Sequence, residues 1–228
     1  MHPVTNGIGI LNEGPLHQAL KDHYTQAGAD QEVAVGNYVA DVVSADQVLY
    51  EIQTSGFSGL RPKLEYLLQH HQVVLVHPIA AVRYVVRTPV DAPPKRRRSP
   101  KKGALVNLLD ALVSIPDLLN HPRFELEILL ISEEELRVPS SSRSWRRKGW
   151  RVAGRRLLKV LEQQRFANAR DLWSLVSGPL PEVFTTSDLA DAMGQPRGSA
   201  QKLAYCLRNA GAVDIVGKQG NALQYRRA

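Results

Sequence analysis

The sequence predicts an α/β protein, in which a mixed β-sheet flanked by helices is followed by a smaller C-terminal domain. Helical and strand periodicities alternate over the first 88 residues, which is typical of a layered sheet and helices. The chain has 228 residues and one cysteine, Cys206, so it can bury a core without disulfides and suits a reducing compartment. The two halves also differ in charge, which indicates a division of labour.

The excess positive charge lies in the C-terminal half. Residues 1–137 carry 13 basic and 16 acidic side chains, whereas residues 138–228 carry 16 basic and 6 acidic ones, a net charge of +10. Such a half attracts phosphate groups through counterion release. An acidic half can instead hold carboxylates whose charge a metal ion compensates.

The first elements follow from the spacing of apolar residues. Pro15 opens a helix with Leu16, Leu20 and Tyr24 on one face, which ends at Gly28. Short strands are predicted at residues 32–35, 38–43 and 48–53, joined by tight turns as an antiparallel meander. A helix over residues 58–70 and strands at 73–76 and 82–86 follow. A strand, a helix and a buried strand in that order imply a crossover connection and therefore a mixed sheet.

The remaining boundaries are set by prolines and charge. Residues 89–103 hold four prolines and a basic run, which predicts an exposed loop inside the first domain. A helix at 105–113 and a strand at 125–132 then complete that domain. We therefore predict a first domain over 1–137, a basic linker and helix over 138–169, with the helix beginning at Arg155, and a second domain over 170–228.

Two acidic residues on consecutive strands are the first candidate site. Asp41 and Glu51 are separated by nine residues, and a short hairpin places them side by side on one face of the sheet. Two carboxylates in an apolar sheet repel each other and lose hydration, so a divalent cation is a natural stabiliser. Mg²⁺ suits this arrangement, because it takes one or two carboxylates together with water and phosphate oxygens. Glu13, before the first helix, is a candidate third carboxylate.

The order of these residues resembles the PD-(D/E)XK superfamily, the restriction endonuclease-like fold shared by many restriction enzymes and archaeal Holliday junction resolvases. The resemblance covers Glu13 to Arg87: an acid at the first helix, Asp41 on the second strand, and Glu51-Ile52-Gln53 on the third where the family has E-x-K. It implies that Asp41, Glu51 and the backbone carbonyl of Ile52 bind Mg²⁺ or Mn²⁺. The metal would then activate a water that attacks a phosphodiester.

The chain departs from the family pattern at Gln53, where lysine is usual. Glutamine carries no charge and cannot act as a base, although it can orient a water by hydrogen bonding. In some family members the lysine has moved to the following helix, and Lys63 is the candidate here. Three hypotheses stay open: a metal-dependent nuclease, a nuclease fold without activity, and a hairpin whose carboxylates are simply solvated. His17, one turn after Glu13, is interpreted as a surface histidine in preference to a site residue, and His77-Pro78 as a turn.

The C-terminal half offers candidate nucleic-acid contacts. A cluster of indoles and guanidiniums precedes Gly154, and its predicted phosphate contacts are Arg146, Arg147, Lys148 and Arg151. Further on, a capped helix at Thr186, a second helix over residues 199–209 and a hairpin around residues 217–220 resemble a winged helix-turn-helix domain. In that fold the second helix enters the major groove of DNA. The resemblance implies DNA contacts by Arg197, Gln201, Lys202, Tyr205 and Arg208, with Lys218 of the wing on the backbone.

The sequence thus predicts a metal-dependent endonuclease that a basic C-terminal domain brings to DNA. The alternative is a non-catalytic winged-helix binding or regulatory protein with a degenerate nuclease fold. An RNA substrate and a homodimer stay open. The longest apolar runs are shorter than the roughly 20 residues of a membrane span, and no secretory signal pattern opens the chain, so we expect a cytoplasmic protein without a membrane partner.

Overall fold

A computed structural model describes residues 14–25, 28–140 and 149–228. The mixed sheet flanked by helices that the sequence predicts is confirmed. Its elements in chain order are α1 Pro15–Tyr24, β1 Asp30–Val35, β2 Tyr38–Val43, β3 Leu49–Ile52, α2 Arg61–Leu67, β4 Val73–Arg87, β5 Lys95–Arg98, α3 Leu109–Leu112, β6 Phe124–Pro139 and β7 Trp150–Phe166.

The strand order across the sheet is β1-β2-β3-β4-β6-β7, with β5 paired to the far end of β4. The β1-β2-β3 meander is antiparallel, whereas β3 and β4 are parallel, as are β4 and β6. The crossover through α2 makes the β3–β4 pair parallel, as the sequence indicated. β4 is buried on both faces at its beginning, which is why residues 73–76 form a continuous run of Val and Leu. β6 has a similar run of Ile and Leu at residues 128–131.

Each face of the sheet has its own apolar cluster. On one face, Leu16 and Leu20 of α1 pack against Ile52, Val76 and Leu129. The other face is covered by α2, by α3 and by the short 3₁₀ helices Leu105–Leu108 and Pro116–Asn120. Glu127, which is fully buried, also ties α1 to the sheet, because it accepts hydrogen bonds from Tyr24 and from Arg165.

The helix predicted from Arg155 is wrong, because this segment is strand β7. β7 pairs with β6 over nearly its whole length, with register shifts that leave Leu158 and Leu161 without a partner residue on β6. The shifts bring Leu157 and Val160, three residues apart, to the same apolar cluster under α1. Bulges in an edge strand therefore reproduce helical spacing. The predicted boundary after residue 137 falls inside β6.

The basic loop predicted at 89–103 is in part a strand. Lys95–Arg98 forms β5, which pairs with residues 84–87 of β4. The contacts of Arg96 hold this segment in place as a strand. Its guanidinium lies 2.7 Å from the buried carboxylate of Glu134 and 3.6 Å from the centre of the Tyr84 ring. Through Arg96, the basic run of β5 (residues 95–98) thus contacts the acidic run of β6 (residues 133–135). His77 is likewise part of β4 and not a turn.

The C-terminal elements are β8 Val183–Phe184, α4 Thr186–Met193, α5 Arg197–Asn209, β9 Val213–Gln219 and β10 Ala222–Arg227, preceded by a 3₁₀ helix over Ala169–Leu175. Thr185 caps α4, and Gly194 ends it in the left-handed conformation, as its sequence indicated. The three strands form a small antiparallel sheet in the order β8-β10-β9.

These C-terminal elements share one apolar core with the large sheet. Leu203 and Leu207 of α5 belong to the same buried cluster as Leu112 of α3 and Leu119. Across the same contact Lys202 forms an ion pair with Asp110, and the Asn120 amide donates to the carbonyl of Ala210. The two parts are therefore expected to unfold together.

We expect Leu203→Ala to lower the free energy of unfolding by about 2–5 kcal/mol, because the side chain is fully buried. Urea denaturation followed by circular dichroism should show one transition, displaced as a whole. Ile215→Ala, at a side chain that is 45% exposed, is the control and should change stability by less than about 1 kcal/mol. Two separate transitions, only one of them displaced, would contradict a shared core.

Candidate active site

Asp41 and Glu51 come together where β2 and β3 lie side by side. Val42 pairs with Tyr50 and Val43 with Leu49, so one step further along the same register Asp41 faces Glu51. The Asp41 carboxylate accepts a hydrogen bond of 2.7 Å from the backbone N–H of Ile52. The two acids and the Ile52 backbone, which the sequence predicts as a metal-binding set, thus lie within one small region, here named the carboxylate site.

His17 belongs to the carboxylate site, so its interpretation as a surface histidine is wrong. Its Nε2 atom lies 2.9 Å from the carbonyl oxygen of Ile52 and 3.4 Å from the Asp41 carboxylate. The side chain is only 15% exposed. Because α1 is fixed to the sheet by Leu16, Leu20 and the Glu127 hydrogen bonds, the ring is directed at the end of β3. The signal in the sequence was its position one helical turn after Glu13.

Lys63 completes the carboxylate site from α2. Its Nζ atom lies 2.5 Å from Glu51 Oε2 and donates a second hydrogen bond of 2.7 Å to the carbonyl of Val39. This is the lysine that the sequence singled out as a replacement for the one missing at position 53. An ammonium group consequently contacts the third-strand acid, although it comes from a different element than in the E-x-K pattern.

Gln53 is directed away from the two carboxylates. Its side-chain amide donates to the carbonyl of Gly56 at 3.0 Å, and its own carbonyl accepts a hydrogen bond from His77 Nδ1 at 2.6 Å. The residue therefore holds the turn after β3. The structure places no Gln53 hydrogen bond on Asp41 or Glu51 among the described residues.

The two acids have pKa values shifted in opposite directions. Burial raises the pKa of Asp41, but hydrogen bonds from His17 and from the Ile52 N–H outweigh burial and leave that pKa below its usual range. For Glu51, burial dominates over the attraction of Lys63, and the nearby Asp41 adds to the rise, so its pKa is about 7. One carboxylate is thus charged at neutral pH while its neighbour titrates there.

The donors fit a small divalent cation. Glu51 is almost completely buried, yet its Oε1 atom has no hydrogen-bond partner among the described residues. A buried carboxylate oxygen without a donor calls for a cation or a water. Two carboxylates and the Ile52 carbonyl are oxygen ligands of the kind that Mg²⁺ and Mn²⁺ accept. Within residues 14–25, 28–140 and 149–228, no group of three or more His, Cys, Asp or Glu side chains is placed to hold a metal.

The predicted nucleic-acid contacts of α5 form an exposed stripe. Arg197, Gln201, Tyr205 and Arg208 follow one another at helical spacing and are all exposed, with the Arg208 guanidinium 5.7 Å from the centre of the Tyr205 ring. Lys202 is also exposed, but it is bound to Asp110. Lys218 is exposed near the end of β9, and Arg151 is exposed on β7. Glu13, Arg146, Arg147 and Lys148 lie outside the described residues.

Comparison with known proteins places the chain in a family. Residues 14–167 match the family described as Domain of unknown function (DUF8091). The chain belongs to this family. The matched segment contains α1 and all seven strands of the large sheet, so the sheet with its carboxylate site is the family's domain and α4, α5 and the small sheet follow it.

A relative in Treponema pallidum (strain Nichols), described as an uncharacterized protein, is 33% identical over 224 residues, which cover 96% of this chain and 87% of the relative. The similarity therefore extends beyond the family domain into the C-terminal elements. No solved structure matches the chain. No helix in the described part of the chain is both long and apolar enough to cross a lipid bilayer.

The raised pKa of Glu51 predicts a pH dependence of stability. A carboxyl whose pKa is about 7 when folded and about 4.5 when unfolded binds more protons in the native state, so its contribution to stability falls as pH rises from about 4.5 to 7. Glu51→Gln removes this titration. The variant should therefore gain stability relative to the wild type between pH 5 and pH 8, on the order of 2–3 kcal/mol.

Urea denaturation of both proteins at pH 5, 6, 7 and 8 measures this difference, and the other titrating groups cancel because both proteins share them. Asp188→Asn is the control: hydrogen bonds with Thr185 lower the Asp188 pKa, and this acid of α4 is not one of the groups that shift the Glu51 pKa, so its difference from the wild type should stay constant over this range. A constant difference for Glu51→Gln as well would mean that Glu51 is ionised throughout.

Proposed function

We propose that this protein is a metal-dependent endonuclease that hydrolyses phosphodiester bonds of DNA, with its C-terminal elements acting as a winged-helix DNA-binding domain. One observation carries the proposal: Asp41, the Ile52 carbonyl, Glu51 and the Lys63 ammonium converge at the end of β3. This is the combination that the resemblance to PD-(D/E)XK nucleases requires, except that the lysine ammonium comes from α2 and not from the third strand.

In this proposal Asp41, Glu51 and the Ile52 carbonyl hold Mg²⁺ or Mn²⁺. When bound, such an ion would supply Lewis-acid chemistry, namely a lowered pKa for a nearby water and positive charge beside the phosphate. Glu51, whose Oε1 atom has no hydrogen-bond partner among the described residues, has an oxygen to contribute. Asp41 is already ionised at neutral pH, because its hydrogen bonds keep the pKa low.

Lys63 provides the positive charge that Gln53 lacks. Its ammonium already contacts Glu51, and a charged donor at this position can hydrogen-bond a water or a phosphate oxygen beside the two acids. His17 acts as a positioning residue, since its ring contacts both Asp41 and the Ile52 carbonyl. Gln53 fixes the turn that follows β3 and takes no part in proton transfer.

The DNA-binding part of the proposal is supported by order and exposure. Two helices with a tight turn at Gly194, followed by a hairpin, are the elements of a winged helix-turn-helix, and the second helix has an exposed stripe of Arg, Gln and Tyr side chains. Arginine and glutamine hydrogen-bond base edges and phosphates, and tyrosine stacks. The net charge of +10 over residues 138–228 favours a polyanion.

A second candidate function is DNA binding without cleavage. Its support is that the α5 stripe and its charge are independent of the carboxylate site, while Gln53 replaces the usual lysine and faces Gly56. In that case the sheet would serve as a platform for α5, which packs against it through a shared core.

Cleavage of supercoiled plasmid DNA in Mg²⁺ or Mn²⁺, with a structured RNA run in parallel, distinguishes these functions. We expect metal-dependent nicking that falls by more than about 100-fold in Asp41→Ala, Glu51→Ala and Lys63→Met, because the first two remove proposed metal ligands and the third removes the charged donor beside them. Asp46→Ala is the matched control, since this acid is exposed on the β2–β3 turn, and it should cut like the wild type. Nicking that survives in Asp41→Ala and Glu51→Ala would assign the activity to something else.

DNA binding by α5 is tested without cleavage, in EDTA, by fluorescence anisotropy of a labelled duplex at several salt concentrations. Arg197→Ala combined with Arg208→Ala should weaken binding and flatten the slope of log affinity against log salt by about 1–2, as expected when up to two phosphate contacts are lost. Lys202→Ala should have a smaller effect, because this lysine is bound to Asp110. An unchanged slope in the double variant would exclude α5 as the DNA-contacting helix.

A further inference from the structure

A basic cleft adjoins the carboxylate site at the turn that follows β3. Its volume is about 380 Å³, and it lies between the turn at residues 54–56, residues 77–80 of β4, the segment 101–103 and α3. We propose that this cleft is a second phosphate subsite, which holds a backbone phosphate of the nucleic acid next to the one that is cut. The inference rests on the proposed function, because it describes how the same substrate is held.

The cleft is joined rigidly to the carboxylate site. Gln53, which directly follows Ile52, accepts the hydrogen bond of His77 Nδ1 from the cleft wall and donates one to Gly56 on the opposite side. Arg155 of β7 donates to the carbonyl of Thr54 at 3.1 Å and so helps to fix the same turn. A nucleic acid strand bound in the cleft is therefore held at a fixed place relative to Asp41 and Glu51.

Two lysines give the cleft an unbalanced positive charge. Lys101 and Lys102 line it, are exposed and form no ion pair with any acid in the described part of the chain. The other charged groups of the lining are already neutralised: Arg83 lies 2.6 Å from Glu133, and Asp110 is bound to Lys202. A concave surface with two uncompensated cations and no free carboxylate favours an anion.

The segment that carries the lysines is fixed to β4. The Ser99 N–H donates to the carbonyl of Arg83, and the Gly103 N–H donates to the carbonyl of Ala80, each at 2.8 Å. A Cβ atom at position 103 would lie 2.6 Å from Ile79 Cγ2 and 2.8 Å from the Ala80 oxygen, so only glycine allows this close approach. Because the backbone on both sides of the lysines is held, little ordering remains to be done when a phosphate binds.

A second subsite defines the class of substrate. A site with one phosphate position accepts a phosphomonoester or a single nucleotide, whereas two positions favour a chain that continues past the cleaved bond. The cleft volume is at the lower end of the range for small-molecule sites, which suits a phosphate with its sugar and not a large ligand. We therefore infer that oligonucleotides are preferred over dinucleotides and phosphomonoesters.

The test removes both lysines in the full chain, as Lys101→Ala with Lys102→Ala, and compares the variant with Lys95→Ala combined with Arg97→Ala. The matched control loses the same charge from two exposed positions of β5 that do not line the cleft. Anisotropy of a labelled oligonucleotide in EDTA reports binding without cleavage, and plasmid nicking reports KM and kcat.

We expect the cleft variant to bind more weakly, with a salt slope flatter by about 1–2. Its KM should rise at least about fivefold while kcat stays within about twofold, because the subsite binds the ground state and the transition state equally. The control should bind within about twofold of the wild type. Equal losses in the two variants would overturn the subsite, since they would reflect net charge alone.

The outcome is separable from the fate of the nuclease proposal. Lysine-dependent binding in a protein that never cuts would leave the phosphate subsite standing and the catalytic proposal overturned. Cleavage by a protein whose binding does not depend on Lys101 and Lys102 would support the catalytic proposal and overturn the phosphate subsite. Titration calorimetry with inorganic pyrophosphate distinguishes the source of the anion: micromolar binding of pyrophosphate together with lysine-independent binding of oligonucleotides would assign the cleft to a free phosphate compound and contradict the proposal.

Discussion

The carboxylate of Glu51 is buried at the end of a central strand, and the surrounding structure compensates for it. Removing an ion from water costs several kcal/mol, so a buried acid is retained only where a partner or a proton offsets that cost. Lys63 supplies part of the compensation, but burial outweighs it and raises the pKa of Glu51 to about 7. This incomplete compensation is what distinguishes the site from an ordinary buried ion pair.

Other buried acids of the sheet are compensated fully. Glu127 accepts hydrogen bonds from Tyr24, Gln163 and Arg165, and Glu134 lies between Arg96 and Arg156. Glu133 is paired with Arg83 in the same way. Glu127 and Glu134 hold strands and a helix in place, because each accepts from donors on two different elements. Glu51 differs in having an oxygen without a hydrogen-bond partner among the described residues, which is the property expected of a ligand-binding group.

The arrangement of the chain links the carboxylate site to the C-terminal elements. α3 lines the basic cleft on one side and packs against α5 on the other, with Asp110 bound to Lys202 at their contact. The exposed stripe of α5 is therefore held at a fixed position relative to the sheet by a shared apolar core. In the proposed function, a rigid connection of this kind would let one nucleic acid contact both parts in a defined register.

The sequence alone was sufficient to predict the meander, the crossover through α2, the mixed sheet and the pair Asp41 and Glu51, because these depend on local periodicity and on short connections. Lys63 was identified through the resemblance to the PD-(D/E)XK superfamily, in some members of which the lysine lies on the helix after the third strand. Tertiary structure decided that residues 150–166 form a strand, because pairing with β6 and the bulges that follow from it outweigh the helical spacing of the leucines. It likewise decided the place of His17, which depends on the packing of α1 against the sheet. It also decided that residues 95–98 form a strand, which depends on an acid about 40 residues away in the chain. Contacts between distant segments depend on which surfaces become buried together, and the local spacing of residues in the sequence does not predict this.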